Sequence, residues 1–242
     1  MKWKSLVCGA VLSVAIAAPA QAAPVGIFTI SDVASGVTVG LTFIDWEPAG
    51  GGTGTFEVGG GTTLTSDAGD LQAGDIGTVK DLDAGTSLPL DDFFTFAAYP
   101  GLTFTLTSLG PGAENSDCST VDSNGESCSP FEGSVFVLTY LNGNTFVSLA
   151  GEGTATDGNG LSFWEGGWST QLSTMSPLEV QQFFGCTPEV GIEGCTNFEG
   201  SIFSTYSGEF NVEIIPVPEP TMLALLGLGL LGTGYRARRR RQ

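Results

Sequence analysis

Two tryptophans four residues apart, Trp164 and Trp168 in "FWEGGW", are the side chains best suited to recognition chemistry in this chain. Set around Gly166-Gly167 at a hairpin tip, their rings would form a platform on which a flat, polar sugar could stack. The competing reading packs one or both onto a sheet, and Trp46, between Asp45 and Glu47, repeats the idea more weakly. Carboxylates are the second resource. Glycoside hydrolysis needs two acids facing one sugar bond, but the adjacent Asp91 and Asp92 of "DDFF" point to opposite faces if extended. "DSNGE" (Asp122 to Glu126) and "TDGNG" (Thr156 to Gly160) offer oxygen ligands to calcium. Neither follows the EF-hand loop, and Asp or Asn beside Gly is ordinary turn chemistry. No cofactor is expected, and calcium is the one metal worth weighing.

What is missing narrows the chemistry further. The chain has no histidine, which removes most nucleophile–base pairs and transition-metal sites. The body has no arginine to clamp a phosphoryl group. The expectation is therefore a protein that is not an enzyme. Of 8 basic and 26 acidic residues, Lys2, Lys4, five arginines and Glu219 lie at the two ends. That leaves Lys80 against 25 carboxylates, a body charge of −24 that repels nucleic acid.

Four cysteines follow the first: Cys118, Cys128, Cys186 and Cys195. An even set in an exported chain suggests disulfides, and sequence neighbours make the pairs Cys118–Cys128 and Cys186–Cys195, although four cysteines allow three connectivities. Export is indicated by residues 1–22. A basic head (Lys2, Lys4), an uncharged apolar run and "APAQAA" compose a secretory signal peptide, cleaved after Ala22 or after Ala20.

The elements that would position these groups read as strands. "GLTFTLTSL" puts Leu102, Phe104 and Leu106 opposite Thr103, Thr105 and Thr107, and "TYSGEFNVEI" and "VTVGLTFID" alternate in the same way. A flat ice-binding array would need the threonine ladder repeated on neighbouring strands, and the sequence shows no obvious repeat. Asn142-Gly143 marks a hairpin whose first strand, Val135 to Tyr140, is apolar on both faces and reads as central. "EPAGGGTGTFEVGGGTT" reads as a loop or weak edge strand. One helix stands out in "SPLEVQQFFG", with Ser176 and Glu179 as a capping box, Pro177 first and Gly185 as the stop. The expected fold is all-β: a single antiparallel β-sandwich or jelly-roll-like domain over 23–216 with one short helix.

The last residues, 217–242, differ from everything before them. Val217, Pro218, Glu219 and Pro220 precede an apolar, glycine-punctuated run, 221–235, and then Arg236, Arg238, Arg239, Arg240 and Arg241. As a helix the run would be about 22 Å long, short for a bilayer core of about 30 Å. This order resembles the PEP-CTERM sorting signal of Gram-negative, exopolysaccharide-producing bacteria, a tail type also labelled as the C-terminus of ice-binding proteins. The resemblance implies that Val217 to Pro220 are the recognition motif, 221–235 a transmembrane helix and the arginines a cytoplasmic stop. It also implies processing by an exosortase, an integral-membrane protease. The protein would be held at the inner membrane and then released or attached at the cell surface or in the biofilm matrix. A structural or adhesive role near exopolysaccharide follows. The alternatives are a carbohydrate-binding module or, further off, a carboxylate-dependent glycan hydrolase.

Overall fold

Alternating buried and exposed residues set nearly every element of the computed structural model, in which residues 23–33, 36–48, 51–83, 85–184, 200–215 and 227 are described. The strands are β1 (Gly26–Asp32), β2 (Val37–Val39), β3 (Ile44–Asp45), β4 (Thr53–Val58), β5 (Ile76–Lys80), β6 (Leu90–Phe96) and β7 (Thr103–Leu109). They continue as β8 (Ser127–Cys128), β9 (Phe136–Leu141), β10 (Asn144–Thr156), β11 (Leu161–Leu172), β12 (Ile202–Ser204) and β13 (Ser207–Ile214). Among the described residues the helix α1 (Pro177–Phe184) and a 3₁₀ turn at Cys118–Thr120 complete the set. Residues 1–22, Gly185, the Cys186–Cys195 pair and the tail apart from Gly227 lie outside the described residues.

The antiparallel all-β class with one short helix is what the structure shows. Its large sheet closes on itself. The order β1-β4-β5-β6-β7-β10-β11-β13 returns to β1, because β11 pairs with both β10 and β13 and β13 pairs with β1. Eight strands thus make an up-and-down barrel, with every edge satisfied by a neighbour. The thirteen-residue β10 forks on its other side: Gly151 to Thr156 pair with β7, and Asn144 to Leu149 pair with β9, which carries β8 at its edge. β12, β2 and β3 form a second small sheet.

The barrel interior is filled by aromatic rings. Phe28 on β1 stacks on Phe210 at 4.8 Å and meets Phe104, four strands away round the ring, at 5.1 Å. Phe56, Phe94, Phe96 and Trp164 complete the cluster. An eight-stranded barrel is just wide enough for its own side chains or one small ligand, and here the side chains take the space. β6 gains an extra ring by bulging. Its register with β7 shifts between Leu90 and Phe94, Asp92 takes φ 51°, and both Phe93 and Phe94 turn inward.

Four local expectations change. "VTVGLTFID" is a hairpin, β2 and β3, closed by Gly40 N–H donating to the Phe43 carbonyl at 3.0 Å. Alternation alone cannot distinguish one strand from two short ones that pair. The glycine-rich stretch is β4, a wall strand; Gly54 is needed where Trp46 crosses it, since a Cβ there would strike the indole's own Cβ. β9 is peripheral, paired with β10 and with two residues of β8; Phe136 and Leu138 are buried, whereas Val137 on the other face is half-buried and Leu141 is exposed. The threonine ladder does repeat: Thr55, Thr78, Thr95, Thr103 and Thr156 stand in register on five adjacent strands.

Other elements match their signals. Asn142 and Gly143 take φ 52° and 80°, the primed turn that joins β9 to β10. At α1, Ser176 N–H donates to the Glu179 carboxylate at 2.7 Å while Glu179 N–H reaches Ser176 Oγ at 3.3 Å, a reciprocal capping box. The helix buries Pro177, Val180 and Phe184. Gln181 then pins it to the cysteine loop, its Nε2 donating to the carbonyls of Ser116 and Pro130 at 2.8 and 3.0 Å. That loop is stapled by the Cys118–Cys128 disulfide.

Candidate functional site

A tip-mounted aromatic platform does not form. Trp164 and Trp168 lie in mid-strand on β11, 0% and 3% exposed, and both face the barrel core. Gly166 and Gly167 are strand residues, not a turn; the turn between β10 and β11 is at Asp157–Gly160. Trp164 Nε1 donates to the Thr105 carbonyl at 3.1 Å and its ring stacks near Phe93, so nothing is left to meet a sugar. Trp46 is buried as well, against Trp168 and Tyr206, with Nε1 bonded to the Lys80 carbonyl at 3.0 Å. The physical reason is area. Burying a large ring is worth a few kcal/mol, and a barrel with a glycine-lined wall has room for it. Trp168 Nε1 is buried without a partner.

The two calcium-like loops spend their carboxylates on themselves. In "DSNGE", Glu126 accepts the N–H groups of Asp122 and Ser123 at 3.1 and 3.0 Å. In "TDGNG", Asp157 accepts from Asn159 and Gly160 at 3.0 and 3.1 Å, and from Asp67 across the barrel end at 2.8 Å. Burial alone would raise the Asp157 carboxyl, but these N–H donors outweigh it and hold the group below its ordinary value. Asp81 goes the other way: burial raises it, the Trp46 N–H opposes, and the Asp45 charge adds to the rise. Burial also pushes the Tyr206 hydroxyl well up. Among the described residues, no three His, Cys, Asp or Glu side chains converge as a metal site.

With the interior full, what the body offers is its outside. Its outward strand positions carry mainly threonine, serine and carboxylates, interrupted by exposed Ile27, Ile76, Leu161 and Ile214. The threonine row follows the curve of the ring. Thr55 donates to Glu47 at 2.9 Å and Thr78 bonds Thr95 at 2.7 Å, so part of its hydroxyl capacity is used internally. A broad concavity lies elsewhere, on the outer face of β10, β11, β13 and β1. Two adjoining hollows of about 570 and 470 Å³ share Pro111, Ala150 and Glu209 and form one groove. The loop after β7 walls it, held by Gly110 N–H donating to the Ala150 carbonyl at 2.8 Å. Glu152, Glu165 and Glu209 line it. None of these three stood out in the sequence. Only the outward alternation Ser148, Ala150, Glu152 in β10 hinted at a small-residue face, and the cross-strand register is invisible there.

These features define an all-β barrel whose surface, not its interior, is available to partners. Its class of destination is set by the chain end. A family model for the PEP-CTERM protein-sorting motif matches residues 216–241. No curated protein and no solved structure matches the chain. The motif implies export, processing by an exosortase membrane enzyme and targeting to the cell surface. Among the described residues, no helix is long and apolar enough to cross a membrane.

Proposed function

We propose that the mature protein is a non-catalytic structural or adhesive component of the cell surface or biofilm matrix, placed near exopolysaccharide. The sorting motif at 216–241 carries this reading, because it directs the body to that surface. In the precursor, residues 1–22 start export, 221–235 hold the chain at the inner membrane and the arginines stay on the cytoplasmic side. Processing near Glu219 then frees the barrel. Two properties of the barrel support the role. Its core is packed with rings, so partners meet its outer face, and its lone cation, Lys80, is engaged with the Asp91 carbonyl at 2.6 Å. The test is the intact mass of the protein from the cell surface and from the medium. Loss of both 1–22 and the tail beyond Glu219 supports sorting, and an added mass at the new C-terminus shows attachment. Retention of Thr221 to Gln242 on the mature protein would overturn the processing step.

A further inference from the structure

We propose that the outer groove over β10, β11, β13 and β1 binds a glycan strand bearing free amino groups. The proposal rests on the exopolysaccharide reading and names the ligand chemistry for it. The groove's floor is set by strand register. One row across the four strands is Ser148, Ser169, Ser207 and Ser31; the next is Ala150, Gly167, Glu209 and Thr29. Seven of these eight outward positions carry nothing larger than threonine. The loop after β7 lies against Ala150 and accounts for a small residue there, while the rest of the run leaves room for an extended ligand lying against the strands. Hydroxyls on that floor can donate to and accept from a polyhydroxyl chain.

The third row supplies the charge. Glu152 stands directly opposite Glu165, and Asn211 is the next residue in the row. Like charges facing each other across a strand pair weaken the sheet. Among the described residues no lysine or arginine lines the groove to offset them, and Glu209 adds a third carboxylate one row away. Carboxylates accept hydrogen bonds only, so the matching ligand presents donors and positive charge. An ammonium on a hexosamine brings three donors and a charge, and its ring hydroxyls suit the serine floor. Uronate, sulfate or phosphate groups would be repelled. With both tryptophans of β11 in the core, attraction comes from charge and hydrogen bonds, and salt weakens it.

The test uses the mature protein at physiological salt with three immobilised probes: glucosamine oligomers with free amines, the same oligomers fully N-acetylated, and polygalacturonate. Retention is expected on the first alone. Glu165→Gln combined with Glu209→Gln should weaken it about five- to tenfold, the sum of two exposed charge contacts. These exposed, near-isosteric changes leave the core alone, which a melting curve verifies. Glu57→Gln with Glu132→Gln, exposed acids outside the groove, should leave retention unchanged. Equal loss in both double variants would mean that diffuse charge does the binding, and would overturn the site. So would absent binding to the free-amine oligomer, or equal binding to the acetylated one. Polysaccharide from the producing cells separates the two readings. If it retains wild type and the groove variant alike, the groove falls and the surface role stands. If it fails to retain wild type, the exopolysaccharide reading falls, while the free-amine result still decides the groove.

Discussion

Phe28→Ala tests the claim that the barrel is solid. Phe28 is fully buried, with ring centroids at 4.8 Å from Phe210, 5.1 Å from Phe104, 5.7 Å from Phe94 and 6.1 Å from Phe96. These partners sit on β13, β7 and β6, so the ring bridges both sides of the interior. Truncation removes the phenyl and leaves a hole whose walls are hydrogen-bonded strands, poorly able to collapse. The expected cost is about 3–5 kcal/mol, near the top of the range for buried aromatics. For a body of this size that is a fall in melting temperature of about 6–20 °C, at roughly 2–4 °C per kcal/mol. Calorimetry under oxidising conditions, with urea unfolding as a second measure, reads it. A variant with a dry apolar cavity should also regain stability on adding benzene. A loss below about 1 kcal/mol would refute the reasoning, since it would mean that the interior holds spare space and is open to a ligand.

Gly153→Ala should destabilise by about 1–3 kcal/mol through overpacking, because its Cβ would overlap the Thr105 carbonyl oxygen and lie 2.8 Å from Trp164 Nε1. Thermal melting reads the loss, and an unchanged midpoint would place β7 and β10 further apart than described. Replacing Cys118 and Cys128 together by alanine opens a loop with a separation of 10 residues and should cost about 2.5–3 kcal/mol in the chain-entropy model. A reducing agent should remove at least that much stability from wild type, since it opens this disulfide too. The Asp157 carboxyl is lowered in the fold, so its contribution is complete above about pH 4, the unfolded value, and fades as pH falls through the folded value. Asp157→Asn should therefore lower stability at neutral pH and converge on wild type in acid; parallel curves down to the lowest pH would count against the assigned N–H donors.

Much of the local structure was legible because local rules set it. The Ser176–Glu179 box, the Asn142-Gly143 turn and the inward faces of β7 and β13 all follow from residues a few positions apart. The candidate sugar site was misplaced for a non-local reason. Gly166-Gly167 looks like a turn in one dimension. In three, the pair lies where β11 passes between β10 and β13, and a Cβ on Gly166 would strike the Glu209 carbonyl. There glycine serves close packing of neighbouring chain, not reversal of direction. β9 was misjudged similarly: apolar residues on both faces suggested burial on both, but Val137 lines the outer groove and Leu141 is exposed.

The sequence by itself determined the protein's route and its class of fold. The sorting motif and an antiparallel β body are written in contiguous residues, since a membrane enzyme's recognition motif and period-two alternation are both read locally along the chain. Ring closure, the inward turn of the tryptophans and the small-residue groove were decided only by tertiary structure. Each depends on which residues of distant strands stand opposite one another. Register is set by fitting the whole set of rings into one barrel, a constraint that no single segment carries.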